Sequence, residues 1–336
     1  MTTTRRTVLA GLAATVASPA LAQFDNAIRP QNDPWAQVDP YADPRNGFPL
    51  ETRRPAAATP PPGAAPARDA AAGAAAAKSP TDIAKMTLAE LLADPESVEI
   101  GSGRYGIQKA LAGKSSQGAV IRNQALQGVF RRFCEPFLKL VERPHLPWEL
   151  YLTDFPTPNG LAYGGGKITV AVGSLIYADH PAEFASILVH EIGHNDRRHL
   201  GQAIETDALM KLLESGDINA PGSAGEAFRK LDPMYDALLE SGFSRLQERE
   251  ADAYVPFLYD RMGMDTGRQI VMFQKMMKVY DISSARKTCL MDSHPAMQER
   301  IELLRPMVRK VRNEFVPPGW EELKRYYPTP PEYRWG

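Results

Sequence analysis

The feature that most constrains this chain is the five-residue segment 190–194, which reads His-Glu-Ile-Gly-His. It lies within an apolar pattern, from about 179 to 199, that predicts a helix with one buried side. Residues four apart lie on the same face of a helix, so His190 and His194 can reach a single metal ion. Glu191 then lies beside that ion, where its carboxylate can take a proton from a water molecule. The segment therefore predicts a zinc site with a general base next to it.

A third metal ligand is needed, because a catalytic zinc ion normally takes three protein ligands and keeps its fourth position for water. One common solution requires glycine at position 197 and histidine at position 200, but Arg197 and Leu200 stand there, which excludes that class. Another common solution is a glutamate on a later helix. The predicted helix 243–262 offers Glu248, which shares a helical face with Asp252.

The rest of the pattern predicts helices around two short strands. Apolar residues at spacings of three and four predict helices at 88–93, 120–141, 228–240, 243–262, 266–279 and 295–311. Alternating apolar residues predict strands at about 148–153 and 167–172, with glycine-rich turns between them at 159–160 and 164–166. We therefore expect an α+β fold, mainly α, with a small β-sheet beside the motif helix. Residues 167–172 are expected to offer an edge to which an extended substrate adds as a strand.

The first residues are typical of an export signal. Arg5 and Arg6 precede an apolar run that ends in Ala-Leu-Ala at 20–22, the pattern after which a signal peptidase cuts. We expect a signal peptide over 1–22, either of the twin-arginine type or a plain Sec signal. Pro, Ala, Asp and Gly dominate residues 23–80, which predicts a disordered linker. A catalytic domain over 81–315 and an irregular tail over 316–336 are expected to follow.

Charge and cysteine content limit the partners. The formal net charge is -1, so no summed positive field draws the chain to nucleic acid or to an anionic membrane. No later apolar stretch reaches about 18 residues, so we expect a periplasmic protein without stable membrane insertion after signal cleavage. Cys134 and Cys289 either form one disulfide in an oxidising compartment or remain two buried thiols.

The order of the motifs resembles metallopeptidase family forty-eight, the HtpX and CaaX prenyl endopeptidase type. The resemblance is carried by the segment 190–194, by Glu-x-x-Ala-Asp within 248–252, and by Ser293-His294-Pro295 followed by Arg300-Ile301. Upstream, 159–162 and 164–173 resemble the paired strands of that family. The resemblance implies a zincin-like fold, one zinc ion per chain and Glu248 as the third ligand. No transmembrane helix flanks the motif, which favours a soluble, exported branch.

The resemblance also implies roles for the residues around the ligands. Asp252 matches a carboxylate that orients a zinc-bound histidine through its other ring nitrogen. Glu250 is then a surface residue, although a competing assignment makes it the ligand and leaves Asp252 without a counterpart on the same face. His294 matches a catalytic-site histidine that either donates to the oxyanion or guards the zinc; alternatively it only begins a helix. His199 is expected to be structural, because on a continuing helix it points away from His194.

These expectations describe a zinc-dependent metalloendopeptidase that hydrolyses unfolded or misassembled envelope proteins, with Glu191 as general base and then general acid. The alternative is a periplasmic, chaperone-like protein with a latent or structural zinc site, whose envelope partners dock on the aromatic residues of the tail: Trp320, Tyr326, Tyr327, Tyr333 and Trp335. In a third hypothesis the segment 215–225, or His294, closes the site and keeps the enzyme latent.

Overall fold

The computed structural model of this chain describes residues 85–115, 117–206, 243–280 and 297–334. All of them belong to one of its two units, Ala58–Gly336. The expected signal peptide, the linker, the segments 215–225 and 228–240, Cys289 and His294 lie outside the described residues. What the sequence predicts for those parts therefore stays a prediction.

The described residues are mainly helical, with one small sheet, as the sequence predicts. The first half contains α1 (Leu88–Ala93), α2 (Pro95–Leu111), α3 (Gln124–Leu138), β1 (Glu149–Thr153), β2 (Gly160–Gly164), β3 (Lys167–Ala171), α4 (Val172–Tyr177) and α5 (Pro181–Asp196). The second half contains α6 (residues 199–206), α7 (Arg245–Met262), α8 (Arg268–Val279), α9 (Met297–Leu304), a 3-10 turn (Arg305–Met307), α10 (Trp320–Tyr326) and a second 3-10 turn (Pro331–Tyr333).

The three strands pair in the order β1-β3-β2, with β3 parallel to β1 and antiparallel to β2. Strand β3 is therefore the central strand, and both of its sides are paired. The expectation that residues 167–172 offer a free edge was wrong, because alternation shows which faces of a strand are buried but not which strands lie next to it. Val120 forms a bridge with Thr153 on the outer side of β1. Strand β2 is the opposite edge of the sheet, and it lies beside the motif helix.

The residue pattern alone does not predict strand β2, since its glycines at 160 and 164 indicate turns; the family resemblance did imply a strand at 159–162. The segment between them pairs with β3 in the register Leu161↔Thr169 and Ala162↔Ile168, and then shifts at Gly164. Gly164 has a φ of 83°, a left-handed conformation that favours glycine. The prediction of a turn at 164–166 was therefore right. The other predicted turn, at 159–160, is instead the place where strand β2 begins.

The two faces of the sheet pack against different helices. Leu150, Leu152, Ile168 and Val170 join the main core with α3 and α5. On the opposite face, Tyr163 packs with Ile107 and Ala110 of α2. Neighbouring side chains of a strand lie on opposite faces of the sheet because a strand has a two-residue period. The outer strand β2 therefore lies between α5 and α2.

Helix α2 is absent from the sequence prediction because its glycines and small residues give no apolar stripe. Its start has a local signal: the side chain of Asp94 accepts a hydrogen bond from the N–H of Ser97 at 3.4 Å, and Pro95 follows the cap. Gly103 allows the helix to reach the sheet, since a Cβ atom there would collide with the carbonyl of Gly164. The glycines that hide the helix in the sequence are thus required by its packing.

The C-terminal segment is part of the core, so the expectation of an irregular tail over 316–336 was wrong for α10. Trp320 is only 6% exposed. Its ring lies 6.5 Å from that of Phe184 and 6.2 Å from that of Phe133, centroid to centroid. The ammonium group of Lys324 donates to the carbonyl oxygens of Leu175 and Ala178 at 2.9 and 2.8 Å. These contacts attach α10 to α3, α4 and α5.

Two further expectations can be compared with the described residues. Cys134 is a buried free thiol in α3, and because Cys289 lies outside the described residues, both cysteine alternatives stay predictions. Among the helices described here, none combines the length and the apolar character that crossing a membrane requires.

Candidate metal centre

Helix α5 carries the motif and is buried along its whole length. The ring Nδ1 of His180 accepts a hydrogen bond from the N–H of Ala182 at 3.2 Å, and Pro181 occupies the first turn, where a missing N–H is tolerated. The helix packs against β2 and β3 and also contacts α7 and α8. Because polar side chains inside a core must be satisfied, the motif residues have to bind one another or a ligand.

Helix α7 begins with a capping box that fixes the position of Glu248. The Ser244 hydroxyl accepts from the N–H of Gln247 at 3.3 Å, and the Gln247 side chain accepts from the N–H of Ser244 at 3.1 Å. Glu248 follows in the first turn and is 2% exposed. Gly193 of the motif permits the close approach of α7, since a Cβ atom there would lie 3.1 Å from Tyr254.

The donor atoms of His190, His194 and Glu248 converge between these two helices. The two Nε2 atoms are 3.0 Å apart, and each lies 3.4 Å from a carboxylate oxygen of Glu248. Ligand atoms bound at about 2.0–2.1 Å to a tetrahedral zinc ion are about 3.3–3.4 Å apart. The spacing and the donor set therefore fit one zinc ion, and across the described ranges no second group of three such side chains comes this close together.

Asp252, one turn after Glu248, holds the other ring nitrogen of His190. Its Oδ1 lies 3.1 Å from His190 Nδ1, as the resemblance implied. Arg300 of α9 donates to both oxygens of Asp252, each at 2.6 Å, and lies 3.7 Å from Oε2 of Glu248. A bidentate pair of this kind fixes the plane of a carboxylate. Arg300 thus connects a third helix to the cluster and compensates part of its negative charge.

The pKa values of His190 and Asp252 reflect this crowding of charges. Burial opposes protonation of His190, but the neighbouring carboxylates of Asp252 and Glu248 outweigh burial and raise its pKa to about 9. Burial would raise the pKa of Asp252, yet the charge and hydrogen bonds of Arg300 lower it. The carboxylates around His190 therefore make its surroundings electronegative and stabilise a positive charge on its imidazole.

Glu191 lies at the boundary between α5 and the outer strand. It is 3% exposed, and burial is the main cause that raises its pKa to about 7, with the charge of His190 acting in the opposite direction. The backbone N–H of Ala162 donates a hydrogen bond to its carboxylate. A Cβ atom on Gly160 would lie 2.6 Å from Cγ and 2.8 Å from Oε1 of Glu191. Strand β2 therefore positions this carboxylate through a hydrogen bond and a close backbone approach.

His199 does not point away, as the sequence suggested. Helix α5 ends at Asp196, and Arg198 adopts a φ of 61° before α6 begins. This break returns His199, which is fully buried, to within 2.8 Å of His194, Nδ1 to Nδ1. Glu250 is not only a surface residue either, because its Oε2 lies 3.3 Å from His199 Nε2. That position is outside the cluster of donor atoms and disfavours Glu250 as the ligand.

The structure also adds residues that the motifs did not indicate. Phe243, just before α7, stacks on the ring of His194 with centroids 3.9 Å apart and planes inclined by 19°. Gly160 and Ala162 were noted only for turns and strands. No local sequence pattern predicts these contacts, because each of them joins residues that are distant in the sequence. His294 lies outside the described residues.

Comparison with known proteins identifies the family of the chain. The family model described as Peptidase family M48 matches residues 121–308. Metalloprotease LoiP of Escherichia coli is 27% identical over 149 residues, which cover 44% of this chain and 57% of that protein. The beta-barrel assembly-enhancing protease of E. coli is 25% identical over 185 residues, covering 50% and 37%, respectively. The mitochondrial metalloendopeptidase OMA1 of Saccharomyces cerevisiae is 22% identical over 208 residues, covering 57% and 59%.

The chain thus spans between 37% and 59% of the length of these three relatives. The family match covers more than half of the chain and runs from just before α3 to just after α9, so it includes the motif helix, Glu248 and Arg300. The chain belongs to peptidase family M48.

Proposed function

We propose that this chain is a zinc-dependent endopeptidase whose metal ion, one per chain, is held by His190, His194 and Glu248. The observation that carries the proposal is the convergence of these three side chains from α5 and α7, with donor atoms 3.0 to 3.4 Å apart. The buried carboxylate of Glu191 lies next to them on the same helix. Membership of a family of metallopeptidases supports the same reaction class.

In this proposal each protein group has a defined task. Zinc, when bound, supplies a Lewis acid that acidifies water and polarises the carbonyl of the scissile peptide bond. Glu191 accepts the proton of the attacking water and then delivers it to the leaving amine nitrogen. The N–H of Ala162 holds the Glu191 carboxylate in place. Asp252, fixed by Arg300, holds the ring of His190 in the orientation that leaves Nε2 available.

We propose that an extended substrate lies along β2, the strand next to the motif helix. Strand β2 is an outer strand of the sheet and contacts α5, and Ala162 directs its N–H toward Glu191. Main-chain hydrogen bonds to such a strand accept many sequences. A peptide substrate with N-methylated amides on both sides of the scissile bond should therefore be cleaved much more slowly than its unmodified counterpart. Equal rates would exclude binding by strand addition.

Glu191→Gln tests the catalytic assignment. Glutamine keeps the size of the side chain but cannot accept the proton, so cleavage of unfolded casein should fall by about 10²–10⁴-fold, while bound zinc remains. Glu322→Gln is a matched control, since Glu322 is 49% exposed and pairs with Arg132 on the surface; it should cleave at the wild-type rate. Wild-type cleavage by Glu191→Gln would contradict the mechanism.

The second candidate function is a chaperone-like protein with a structural zinc site. The described structure weakens its basis, because Trp320 packs in the core instead of facing a partner. An assay with a chelator separates the two functions: loss of casein cleavage after zinc removal, and its return with added zinc, supports the peptidase. Suppression of aggregation that the chelator does not affect, without any cleavage, supports the binding protein.

We propose further that the protein is exported and acts on unfolded or misassembled envelope proteins. The signal-like residues 1–22 support export, and one relative is named for beta-barrel assembly. Cell fractionation of the full chain, with removal of residues 1–22 on export, tests the location. For His294 we propose a place near the site: His294→Ala should lower casein cleavage if this residue donates to the oxyanion, and raise it if this residue guards the zinc.

A further inference from the structure

A chain of hydrogen bonds extends from His194 away from the metal cluster. His194 Nδ1 lies 2.8 Å from His199 Nδ1, and His199 Nε2 lies 3.3 Å from Oε2 of Glu250. The His199 ring is fully buried, and the Glu250 side chain is 26% exposed. The chain therefore leads from the buried cluster to a partly exposed carboxylate on α7.

The order of the protons in this chain follows from elementary chemistry. A histidine that binds a metal through Nε2 must carry its proton on Nδ1. His194 then donates from Nδ1, and the Nδ1 of His199 has to accept. The remaining proton of a neutral His199 sits on Nε2, where the Glu250 carboxylate accepts it. Each donor in the chain thus meets an acceptor.

We propose that His199 is the positioning residue of His194, and that Glu250 fixes the tautomer of His199. This inference rests on the metal site proposed above and extends it to the second imidazole. The carboxylate of Asp252 contacts His190 directly. His194 instead contacts the neutral ring of His199, and the carboxylate of Glu250 lies on the far side of that ring. The second arrangement fixes the orientation of His194 without placing another full negative charge next to the cluster.

The backbone around His199 is built for this contact. Arg198 adopts the left-handed conformation, with a φ of 61°, which is strained for a residue other than glycine. The Arg198 side chain pairs with Glu205 at 2.5 Å and with Glu99 at 3.5 Å, and Gln247 donates to the carbonyl of His199 at 3.2 Å. These contacts hold the turn that directs His199 toward His194.

Two substitutions separate this role from simple core packing. In His199→Asn the side-chain oxygen can take the place of the Nδ1 acceptor, whereas His199→Leu fills the space without any acceptor. Zinc affinity of the apo protein, measured by competition with a chromophoric chelator, should fall about 10- to 100-fold in His199→Leu and much less in His199→Asn. Equal affinity of wild type and His199→Leu would overturn the proposal, as would equal losses in both variants.

His145→Asn is the matched control, because His145 lies on the surface with 57% of its side chain exposed; it should bind zinc like the wild type. A measurement on the unsubstituted protein covers the case in which His199→Leu does not fold. In nitrogen-15 spectra of zinc-loaded protein labelled at histidine, His199 should carry its proton on Nε2 and His194 on Nδ1. A proton on His199 Nδ1 would refute the inference. Failure of wild-type protein to bind zinc at all would instead refute the metal site.

Discussion

Gly160→Ala is a sharp perturbation of the proposed general base, because it adds one methyl group directly against Glu191. That carbon would lie 2.6 Å from Cγ, 2.8 Å from Oε1 and 3.0 Å from Cδ of Glu191, whereas ordinary contacts begin at 3.4 Å. Glu191 or strand β2 therefore has to move by about 0.8 Å, the difference between the ordinary and the 2.6 Å contact. The φ of Gly160 is not in the positive region, so alanine introduces no backbone strain of the left-handed kind.

A displacement of this size has a predictable cost. Misplacing a catalytic group by about 1 Å lowers the rate by about 10²-fold, which equals about 2.7 kcal/mol of transition-state stabilisation. We expect kcat/KM for casein-derived peptides to fall by about that factor. Zinc affinity should stay within about twofold of wild type by the same reasoning, because the crowded contacts involve Glu191 and none of His190, His194 and Glu248.

Gly128→Ala in α3 is the matched control. A Cβ atom there has no neighbour within 4 Å, so activity should be unchanged and stability should rise by about 0.5–1 kcal/mol. Wild-type kcat/KM in Gly160→Ala would refute the position or the role assigned to Glu191. A parallel loss of zinc affinity would show that the damage reaches the metal ligands, which is also contrary to the argument.

Three other predictions concern packing and pH. Gly193→Ala places a methyl group 3.1 Å from Tyr254, so α7 shifts and zinc affinity falls in chelator competition; unchanged affinity would show that Glu248 does not depend on this contact. Trp320→Ala should lower the free energy of unfolding in urea by about 3–5 kcal/mol, and a loss below about 1 kcal/mol would place Trp320 outside the core. Burial lowers the pKa of Lys324 from 10.5 to about 8. The folded chain therefore binds fewer protons than the unfolded chain between these values, and the contribution of Lys324 to stability rises with pH across that window. Relative to Lys324→Met, wild type should gain stability from pH 8 to 10.5 in urea titrations, and parallel curves would contradict this.

The sequence predicts that His190 and His194 lie together, because helix geometry converts their spacing into position. Two histidines four residues apart share a helical face whatever surrounds them. Glu248 is different, since its approach depends on how α7 packs on α5. That packing rests on Gly193 meeting Tyr254, a contact between residues 61 positions apart in the printed sequence. Family resemblance indicated Glu248 as the proposed third ligand where the spacing of the residues could not.

The contact of His199 with His194 could not be predicted from the spacing of the two residues. The prediction assumed that the motif helix continues through His199, and on such a helix a residue five positions after His194 faces elsewhere. The observed break lies at Arg198, which has a positive φ. Arginine does not favour a positive φ as glycine and asparagine do. Ion pairs with Glu99 and Glu205 stabilise that conformation, and they depend on the tertiary structure.

The expectations of a free edge at 167–172 and of an irregular tail were wrong for a related reason. Alternation in 148–153 and 167–172 identifies strands but not their neighbours, and the parallel pairing of β1 with β3 leaves β2 on the outside. Prolines around α10 suggest irregular structure, yet Trp320 reaches the rings of Phe133 and Phe184. Contacts between distant segments of the chain determined both outcomes.

The most direct test of the central claim is the location of zinc in crystals of the protein, determined by anomalous diffraction at the zinc absorption edge. We predict a single strong peak about 2.0–2.2 Å from the Nε2 atoms of His190 and His194 and from a carboxylate oxygen of Glu248. A peak coordinated by Glu250 in place of Glu248, or no peak between the two imidazoles in protein grown with zinc, would contradict the account.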